Sequence, residues 1–480
     1  MGADLGFVCV GLDWWPATKC NFDWCPWHNS SIWAIDLEEV KPYARLLSPF
    51  LLRIGGSLQD QYNFQPSCPG IEEQFPVDEN NRLGFGGGCI SKDRVAEVST
   101  FCKEVGCELV WGLNAMHGRS EDGMGPWDST NAKELLDFMV QIKTPLHALT
   151  LGNEVWGEMV HLSLDQALHA FSELNEIVDR LWDGDSKRPL IAGLDGYVNR
   201  YQLTFLSNFT AGIVKDETRV DVLNFHEYPL GTSKDNRTVD RALEHDVSFQ
   251  HMAEKVASLA LPNQQVWMSE CGGSSDSGSP QATGSYASGF WYLDGMAMFH
   301  HAGYQRFCRQ TLAGGNYGLL DQVSPRTPHP DFWNAVLYQK ILGRPLTELT
   351  SQLEHMVRCE GVSEDPMRPT AQWYAFEAKN PTASRAFLGV NFHPSLRCGL
   401  VLHDRDDAPA HHIAEYILTP NAAGTEPNVT STRIYLNGLE LIDHSSPLEG
   451  RRTTEKILWL EPHTYGFYEV TDGPALAVKK

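Results

Sequence analysis

Two glutamates, Glu154 and Glu270, each follow a short apolar run and precede a segment that contains glycine. The first run lies in LGNEVWGE, residues 151–158, and the second in VWMSECGG, residues 266–273. Retaining cleavage of a glycosidic bond uses a proton donor and a nucleophile about 5 Å apart, and carboxyl groups suit both roles. If the two runs are parallel strands of one barrel, their carboxyl ends face each other at its mouth. The pair therefore predicts glycosidase chemistry.

The elements that position this pair follow from an alternation of short apolar runs with amphipathic stretches, which is typical of a parallel α/β fold. Strands are predicted over residues 7–13, 51–56, 107–114, 147–154, 190–196, 220–228, 266–270 and 304–312. Helices are predicted over residues 36–47, 93–105, 131–141, 164–182, 238–259 and 285–301. The pattern predicts a (β/α)₈ TIM barrel over residues 1–345, in which Glu154 and Glu270 end the fourth and seventh strands.

From about Leu346 the helical pattern stops and short strand-like segments follow. They include AFLGVNF, EYILTP, TYGFYEV and RIYLNGLEL, the last with an Asn437-Gly438 turn. This pattern predicts an antiparallel β-sandwich over residues 346–480. The segment contains no evident pair of acid and base, so we expect it to cover one side of the barrel.

Polar residues at other strand ends suit a carboxylate site. Arg53 and Tyr228 are expected to donate hydrogen bonds that keep Glu270 ionised, and the charge of Glu270 then favours the protonated form of Glu154. The alternatives are a salt bridge beneath the sheet for Arg53 and a core position for Tyr228. Asn153 is expected to bind the sugar 2-hydroxyl. Further polar residues at strand ends are Asp13, Asn114, His226 and Glu227.

The formal net charge of −23 disfavours nucleic acid and long sulfated polysaccharides as partners, because a polyanion needs a cationic track. No run of eighteen apolar residues is present, so no membrane span is expected. The stretch from Met1 to Phe7 is too short for a signal peptide. Four glycosylation sequons, at Asn29, Asn208, Asn236 and Asn428, suit a glycoprotein of the secretory pathway, secreted or vacuolar, whose leader has been removed.

The eleven cysteines are too dilute for a disulfide scaffold. Cys20 with Cys25, and Cys68 with Cys89, flank loops rich in Pro, Gly and Asn, and either pair could close a loop. Their odd number leaves at least one thiol free unless it pairs between chains. Cys271, directly after Glu270, is interpreted as a small buried residue. No cysteine or histidine cluster has metal-site spacing, so no metal or cofactor is expected.

Several long motifs in this chain resemble the plant heparanase-like β-glucuronidases of glycoside hydrolase family 79. The motifs are LLRIGGSLQD (51–60), GPWDSTNAKELL (125–136), LGNE (151–154), HEYPLG (226–231) and FWYLDGMAMFHHAGYQRFCRQTLAGGNYGLLD (290–321). The resemblance covers about residues 7–343. It implies a retaining mechanism with Glu154 as acid/base and Glu270 as nucleophile.

The resemblance also implies how a glucuronate is held. Gly315, Asn316 and Tyr317 of GGNYG would grip its carboxylate through backbone amides and a phenol, and Asp13 and Gln310 would lie near its hydroxyls. A glycine-rich loop can offer N–H groups to an anion without a cation. One departure is ECGGSSDSG, residues 270–278, which lacks the aromatic that the family usually has after its nucleophile.

These features predict a retaining exo-β-glucuronidase, with a flavonoid glucuronide such as baicalin as the expected substrate. The acidic charge and four tryptophans after the first strand favour a small aromatic aglycone, although these side chains could instead pack against the barrel rim. They are Trp14, Trp15, Trp24 and Trp27. The alternatives are a heparanase-like endo-glucuronidase, a glucuronidase acting on arabinogalactan, and a carbohydrate-binding protein without turnover. The oligomeric state is not predicted.

Overall fold

Eight parallel strands form a closed barrel in the computed structural model. The structure describes residues 5–19, 27–79, 84–120, 125–157, 162–184, 187–198, 200–361, 371–402, 412–422 and 428–471. The barrel strands are β1 (Val8–Leu12), β2 (Phe50–Ile54), β3 (Cys107–Leu113), β4 (Leu146–Leu151), β5 (Leu190–Tyr197), β6 (Val222–His226), β7 (Gln265–Cys271) and β8 (Arg306–Arg309). Each strand pairs with its neighbours in the chain, and β8 closes the barrel on β1. The predicted (β/α)₈ barrel is confirmed.

The helices pack outside the barrel. Their bounds are α1 (Leu37–Leu47), α2 (Lys92–Val105), α3 (Thr130–Gln141), α4 (Leu164–Leu181), α5 (Arg200–Lys215), α6 (Thr238–Ala242), α7 (Val247–Ala257), α8 (Ser288–His301), α9 (Pro330–Ile341) and α10 (Thr347–Leu353). The prediction of one helix over 238–259 is wrong, because Asp246 caps a new helix by accepting hydrogen bonds from the backbone of Ser248 and Phe249. Sequence patterning does not predict α5, α9 or α10, and the expectation that helices stop at Leu346 is wrong for α10.

The C-terminal segment forms antiparallel sheets. Its strands are β9 (Leu342–Pro345), β10 (Val357–Glu360), β11 (Ala371–Ala378), β12 (Arg385–Asn391), β13 (Arg397–Val401), β14 (His412–Thr419), β15 (Tyr435–Leu436), β16 (Leu439–Glu440), β17 (Arg451–Thr453), β18 (Ile457–Leu460) and β19 (Thr464–Thr471). One sheet runs β9-β11-β12-β19-β14-β15-β16, with β17 beside β14, and the other β10-β13-β18. Asn437 and Gly438 both have positive φ, as a two-residue hairpin turn requires. The predicted boundary near residue 345 stays a prediction.

The larger sheet packs against the barrel through α8 and α9, which are buried on almost every side. The ring of Tyr286, just before α8, stacks on Tyr465 of β19 at 4.6 Å. The hydroxyl of Tyr374 on β11 donates to Asp294 on α8 at 2.6 Å. Barrel and sheet therefore share one continuous apolar core.

Four disulfides occur in the described part of the chain. Cys9–Cys308 joins β1 to β8, and the predicted pair Cys68–Cys89 is present. The others are Cys102–Cys107 and Cys359–Cys398. Cys271 is a buried free thiol, whereas the predicted pair Cys20 and Cys25 lies outside the described residues. Among the described helices, none has the length and apolar character to cross a membrane.

Candidate active site

Glu154 and Glu270 approach each other at the mouth of the barrel. A carboxylate oxygen of Glu154 lies within 4.8 Å of one of Glu270. Retaining glycosidases place the two carboxyl groups about 5–5.5 Å apart, whereas inverting ones leave a wider gap for water. The side chain of Glu154 is 30% exposed and that of Glu270 is 9% exposed. The two carboxyls thus have the separation and the unequal solvation of an acid and a nucleophile.

Glu270 lies at the end of β7 and accepts a hydrogen bond on each oxygen. Arg53 on β2 donates from Nη1 to Oε2 at 2.7 Å, and the Tyr228 hydroxyl donates to Oε1 at 2.5 Å. These are the contacts expected from the sequence. Burial alone would raise the pKa of Glu270, but the charges of His226 and Arg53 outweigh it and hold this pKa below its usual value. Glu270 is therefore a carboxylate, as a nucleophile must be.

Asp195, at the end of β5, receives no role from the sequence analysis, yet it connects the whole site. Its carboxylate is fully buried and accepts from Arg53 at 2.8 Å and from Ser269 at 2.6 Å. Its backbone carbonyl accepts from the N–H of Glu154 at 2.9 Å. Although burial opposes ionisation, the charges of Arg53 and His226 hold the pKa of Asp195 well below its usual range. Asp195 therefore holds Arg53 and His226 with its carboxylate and the backbone of Glu154 with its carbonyl.

His226, at the end of β6, bridges Glu154 and Asp195. Its Nδ1 lies 2.9 Å from Glu154 Oε1, and its Nε2 lies 2.9 Å from Asp195 Oδ1. Burial lowers the pKa of His226, but the charges of Glu270 and Asp195 outweigh it and raise the pKa to about 10. With both nitrogens protonated, His226 donates to one carboxyl oxygen of Glu154 and to one of Asp195. The residues Glu154, His226 and Glu270 are close enough to share a cation, but a protonated imidazole offers no lone pair to one.

Asp13 and Gln310 meet on the opposite side of Glu270, where β1 and β8 end. Gln310 donates from Nε2 to Asp13 Oδ2 at 2.6 Å, and the N–H of Trp15 donates to Oδ1 at 2.8 Å. Burial and the charge of Glu270 raise the pKa of Asp13 to about 7. The structure therefore brings together the two residues that the resemblance assigns to sugar hydroxyls, and their role stays a prediction.

The three residues of the GGNYG loop that are predicted to bind a carboxylate differ in whether they line the cleft. Tyr317 lines the cleft, but Gly315 and Asn316 do not. The N–H of Asn316 donates to the carbonyl of Ser277 at 2.6 Å, so it is already committed within the protein. Tyr317 therefore lines the cleft while the N–H of Asn316 is bound within the protein, and the grip on a carboxylate by these three residues stays a prediction.

Asn153 and Asn114 lie away from the ligand space. Asn153 is buried behind Glu154, where its Oδ1 accepts from Arg53 at 2.9 Å and its N–H donates to Asp60 at 2.8 Å. Its contact with a sugar 2-hydroxyl stays a prediction. Asn114 caps its own loop by accepting from the backbone of Met116.

The cleft above Glu270 has a volume of about 500 Å³. Trp15 and Trp27 line it, whereas Trp14 is packed in the core and Trp24 lies outside the described residues. Trp27 donates from Nε1 to the hydroxyl of Ser277 at 2.9 Å, which fixes the loop after β7. Among the described residues the charged side chains that line the cleft are all acidic: Asp13, Glu154, Glu270 and Asp276.

Two known structures illustrate the similarity in fold. The chain superposes with a TM-score of 0.61 on a 4-O-α-L-rhamnosyl-β-D-glucuronidase from Fusarium oxysporum 12S, at 14% identity over 98% of this chain and 96% of that one. It superposes with a TM-score of 0.60 on an arabinofuranosidase from Xanthomonas axonopodis pv. citri, at 12% identity over 98% and 97% of the two chains. At these identities the comparison shows the fold alone.

Sequence comparison is more specific. The chain is 30% identical over 358 residues to heparanase-like protein 3 of Arabidopsis thaliana, covering 71% of this chain and 65% of the relative. It is 31% identical over 368 residues to baicalin-β-D-glucuronidase of Scutellaria baicalensis, covering 71% and 68%. It thus spans about two thirds of the length of these relatives. Residues 1–297 match the model of the glycosyl hydrolase family 79 N-terminal domain, and the chain belongs to that family.

Proposed function

We propose that the protein is a retaining exo-β-glucuronidase. The observation that carries this proposal is the pair Glu154 and Glu270. One carboxyl oxygen of Glu154 lies less than 5 Å from one of Glu270. Glu270 is held ionised, and Glu154 is open to the cleft. Family membership and the similarity to baicalin-β-D-glucuronidase support a glucuronide as the substrate.

The reaction is a double displacement. Glu154 gives its proton to the glycosidic oxygen while Glu270 attacks the anomeric carbon, which forms a covalent glycosyl-enzyme and releases the aglycone. Glu154 then takes a proton from water, which attacks the same carbon and releases glucuronic acid with Glu270 restored. Arg53 and Tyr228 stabilise the negative charge that returns to Glu270 in this second step.

The acidic lining of the cleft favours a small uncharged aglycone, such as that of a flavonoid glucuronide, over a sulfated chain. No Lys or Arg side chain lines the cleft in the described part of the molecule, and a polysulfated polysaccharide would need such cations. An endo-acting, heparanase-like activity is the second candidate, because the chain is also 24% identical to the heparanase of Gallus gallus. Arabinogalactan glucuronosyl groups are a further substrate for the same exo mechanism.

Four disulfides in the described residues support an oxidising compartment, so we extend the proposal to a location in the secretory pathway, secreted or vacuolar.

The test is hydrolysis of an aryl β-glucuronide beside the matching β-glucoside, with a size-resolved digest of heparan sulfate in parallel. The proposal expects release from the glucuronide alone, and proton NMR should detect the β-anomer as first product. Shortened heparan sulfate without aryl release would establish the endo activity instead. Glu270→Gln should abolish hydrolysis and retain binding; wild-type turnover in that variant would refute its role as nucleophile.

A further inference from the structure

The two sides of the cleft serve different halves of the substrate. Because Glu154 protonates the leaving oxygen, the aglycone must lie on the Glu154 side of the scissile bond. Asp13, Gln310 and Tyr317 occupy the other side, at the ends of β1 and β8. The Glu154 side is built from the ends of β4 and β5. A hydrogen bond of 2.9 Å from the N–H of Glu154 to the carbonyl of Asp195 joins these two strand ends.

Tyr197 ends β5 on this side and lines the cleft with an exposed ring. It is 42% exposed, compared with 5% for Trp15 and 2% for Trp27. The indole N–H groups of both tryptophans are also engaged within the protein. Among the described aromatic residues of the cleft, Tyr197 therefore presents the largest open surface for its size.

The hydroxyl of Tyr197 has a partner within the protein. Its hydroxyl hydrogen-bonds the carboxyl group of Glu227, which follows β6. The 42% exposure of Tyr197 and its place in the cleft lining leave open space beside the ring. A fixed aromatic ring next to open space is suited to stacking on a flat ligand.

We infer that Tyr197 is the stacking platform of the aglycone subsite and that it takes a flat, uncharged aromatic aglycone. This inference rests on the proposed function. The carboxyl groups of Glu154 and Glu227 disfavour an anionic group at this position. On this side the described lining also contains the hydroxyls of Thr232 and of its strand partner Ser275. The open ring of Tyr197 is therefore the feature that favours an aromatic group over a sugar.

The test measures kcat/KM for 4-methylumbelliferyl β-glucuronide and for methyl β-glucuronide with wild type, Tyr197→Leu and Tyr197→Phe. Loss of stacking should raise KM for the coumarin substrate in the Leu variant. The kcat/KM for the coumarin glucuronide divided by that for the methyl glucuronide should therefore fall about three- to tenfold. The Phe variant should restore the ratio, because the ring and not the hydroxyl makes the contact. Val214→Ala is the control, since Val214 is 56% exposed at the far end of α5.

An equal change for both substrates, or no change, would overturn the inference and leave the proposed function intact. A larger loss with a glucuronosyl disaccharide than with the coumarin glucuronide would overturn the aromatic class. If the wild type hydrolyses none of these glucuronides, the proposed function fails. The inference about Tyr197 is then tested separately, by measuring the binding of free 4-methylumbelliferone from its fluorescence. Weaker binding in Tyr197→Leu but not in Tyr197→Phe would uphold it, and equal binding would overturn it.

Discussion

Replacing Tyr228 by Phe removes one hydroxyl from the nucleophile and leaves the volume of the ring unchanged. The hydroxyl donates to Glu270 Oε1 at 2.5 Å, while Arg53 still holds the other oxygen at 2.7 Å. A hydrogen bond to a charged group contributes about 1.5–3 kcal/mol, which corresponds to about a 10- to 100-fold change in rate. In the second step Glu270 leaves as a carboxylate, and this hydrogen bond strengthens as the charge returns.

Tyr228→Phe should therefore lower kcat about 10- to 100-fold by slowing release of the sugar from Glu270. The covalent intermediate should accumulate, and intact-protein mass spectrometry after rapid quenching detects it. Because the hydroxyl helps to lower the pKa of Glu270, that pKa rises in the variant. Activity is lost as the pH falls through the pKa of the nucleophile, so the acidic limb of the kcat/KM profile moves to higher pH.

The matched control is Tyr286→Phe, which removes a hydroxyl that donates to Leu418 O at 2.7 Å at the contact between barrel and sheet. It should lower the unfolding temperature and leave kcat and the acidic limb where they are. The argument for Tyr228 fails if its variant turns over within twofold of wild type, accumulates no intermediate and keeps the wild-type acidic limb.

Three further outcomes follow from the same structure. Glu154→Ala should slow hydrolysis of alkyl glucuronides about 10²–10⁴-fold but that of activated aryl glucuronides much less, with rescue by azide; equal losses would remove Glu154 as the acid. Burial raises the pKa values of Asp13, Asp60 and Glu227 to about 7. The folded state therefore holds their protons more tightly than the unfolded chain does, and the stability that they contribute is complete below about pH 4 and is lost as the pH rises through 7. The partly buried imidazoles of His300 and His301, whose pKa values burial lowers, act in the opposite direction. We expect the three carboxyl groups to dominate, so that the unfolding temperature is higher at pH 5 than at pH 8; the reverse order would show that the histidines dominate. Replacing Cys9 and Cys308 by Ala should cost about 2–5 kcal/mol of unfolding free energy, because the bond closes the barrel across 299 residues; an unchanged denaturation midpoint would show that strand pairing alone closes it.

The barrel could be predicted because each of its strands is an apolar run bounded by polar residues or glycine. Most of the predicted helices have one polar face, although α8 is predicted and is buried on almost every side. In α9 almost every side chain is buried between barrel and sheet, so no amphipathic pattern exists. The apolar periodicity of α5 is as regular as that of α2, so its absence from the predictions has no such explanation.

The residues of the candidate site were predictable where a strand end and a chemical type coincide. Glu154, Glu270, Arg53 and Tyr228 come together for that reason. Asn316 could not be placed, because the commitment of its N–H to Ser277 depends on how two loops meet. Tyr197 could not be predicted as a ligand-binding residue, because the sequence does not show whether a tyrosine at a strand end is buried or exposed.

Asp195 shows what sequence reasoning lacks in physical terms. In the sequence, LIAGLDG at residues 190–196 predicts a strand and gives Asp195 no role, and in the structure Asp195 adopts a left-handed φ of 56°. Its importance comes from charges supplied by distant parts of the chain. Arg53 and His226 are two cations whose side chains are almost fully buried, and Glu270 alone would balance one of them. Asp195 balances the second, so both cations can stay charged beside Glu270 and hold it ionised. The nucleophile therefore depends on a carboxylate that never touches it, and this dependence exists only once β2, β5, β6 and β7 are closed into one barrel.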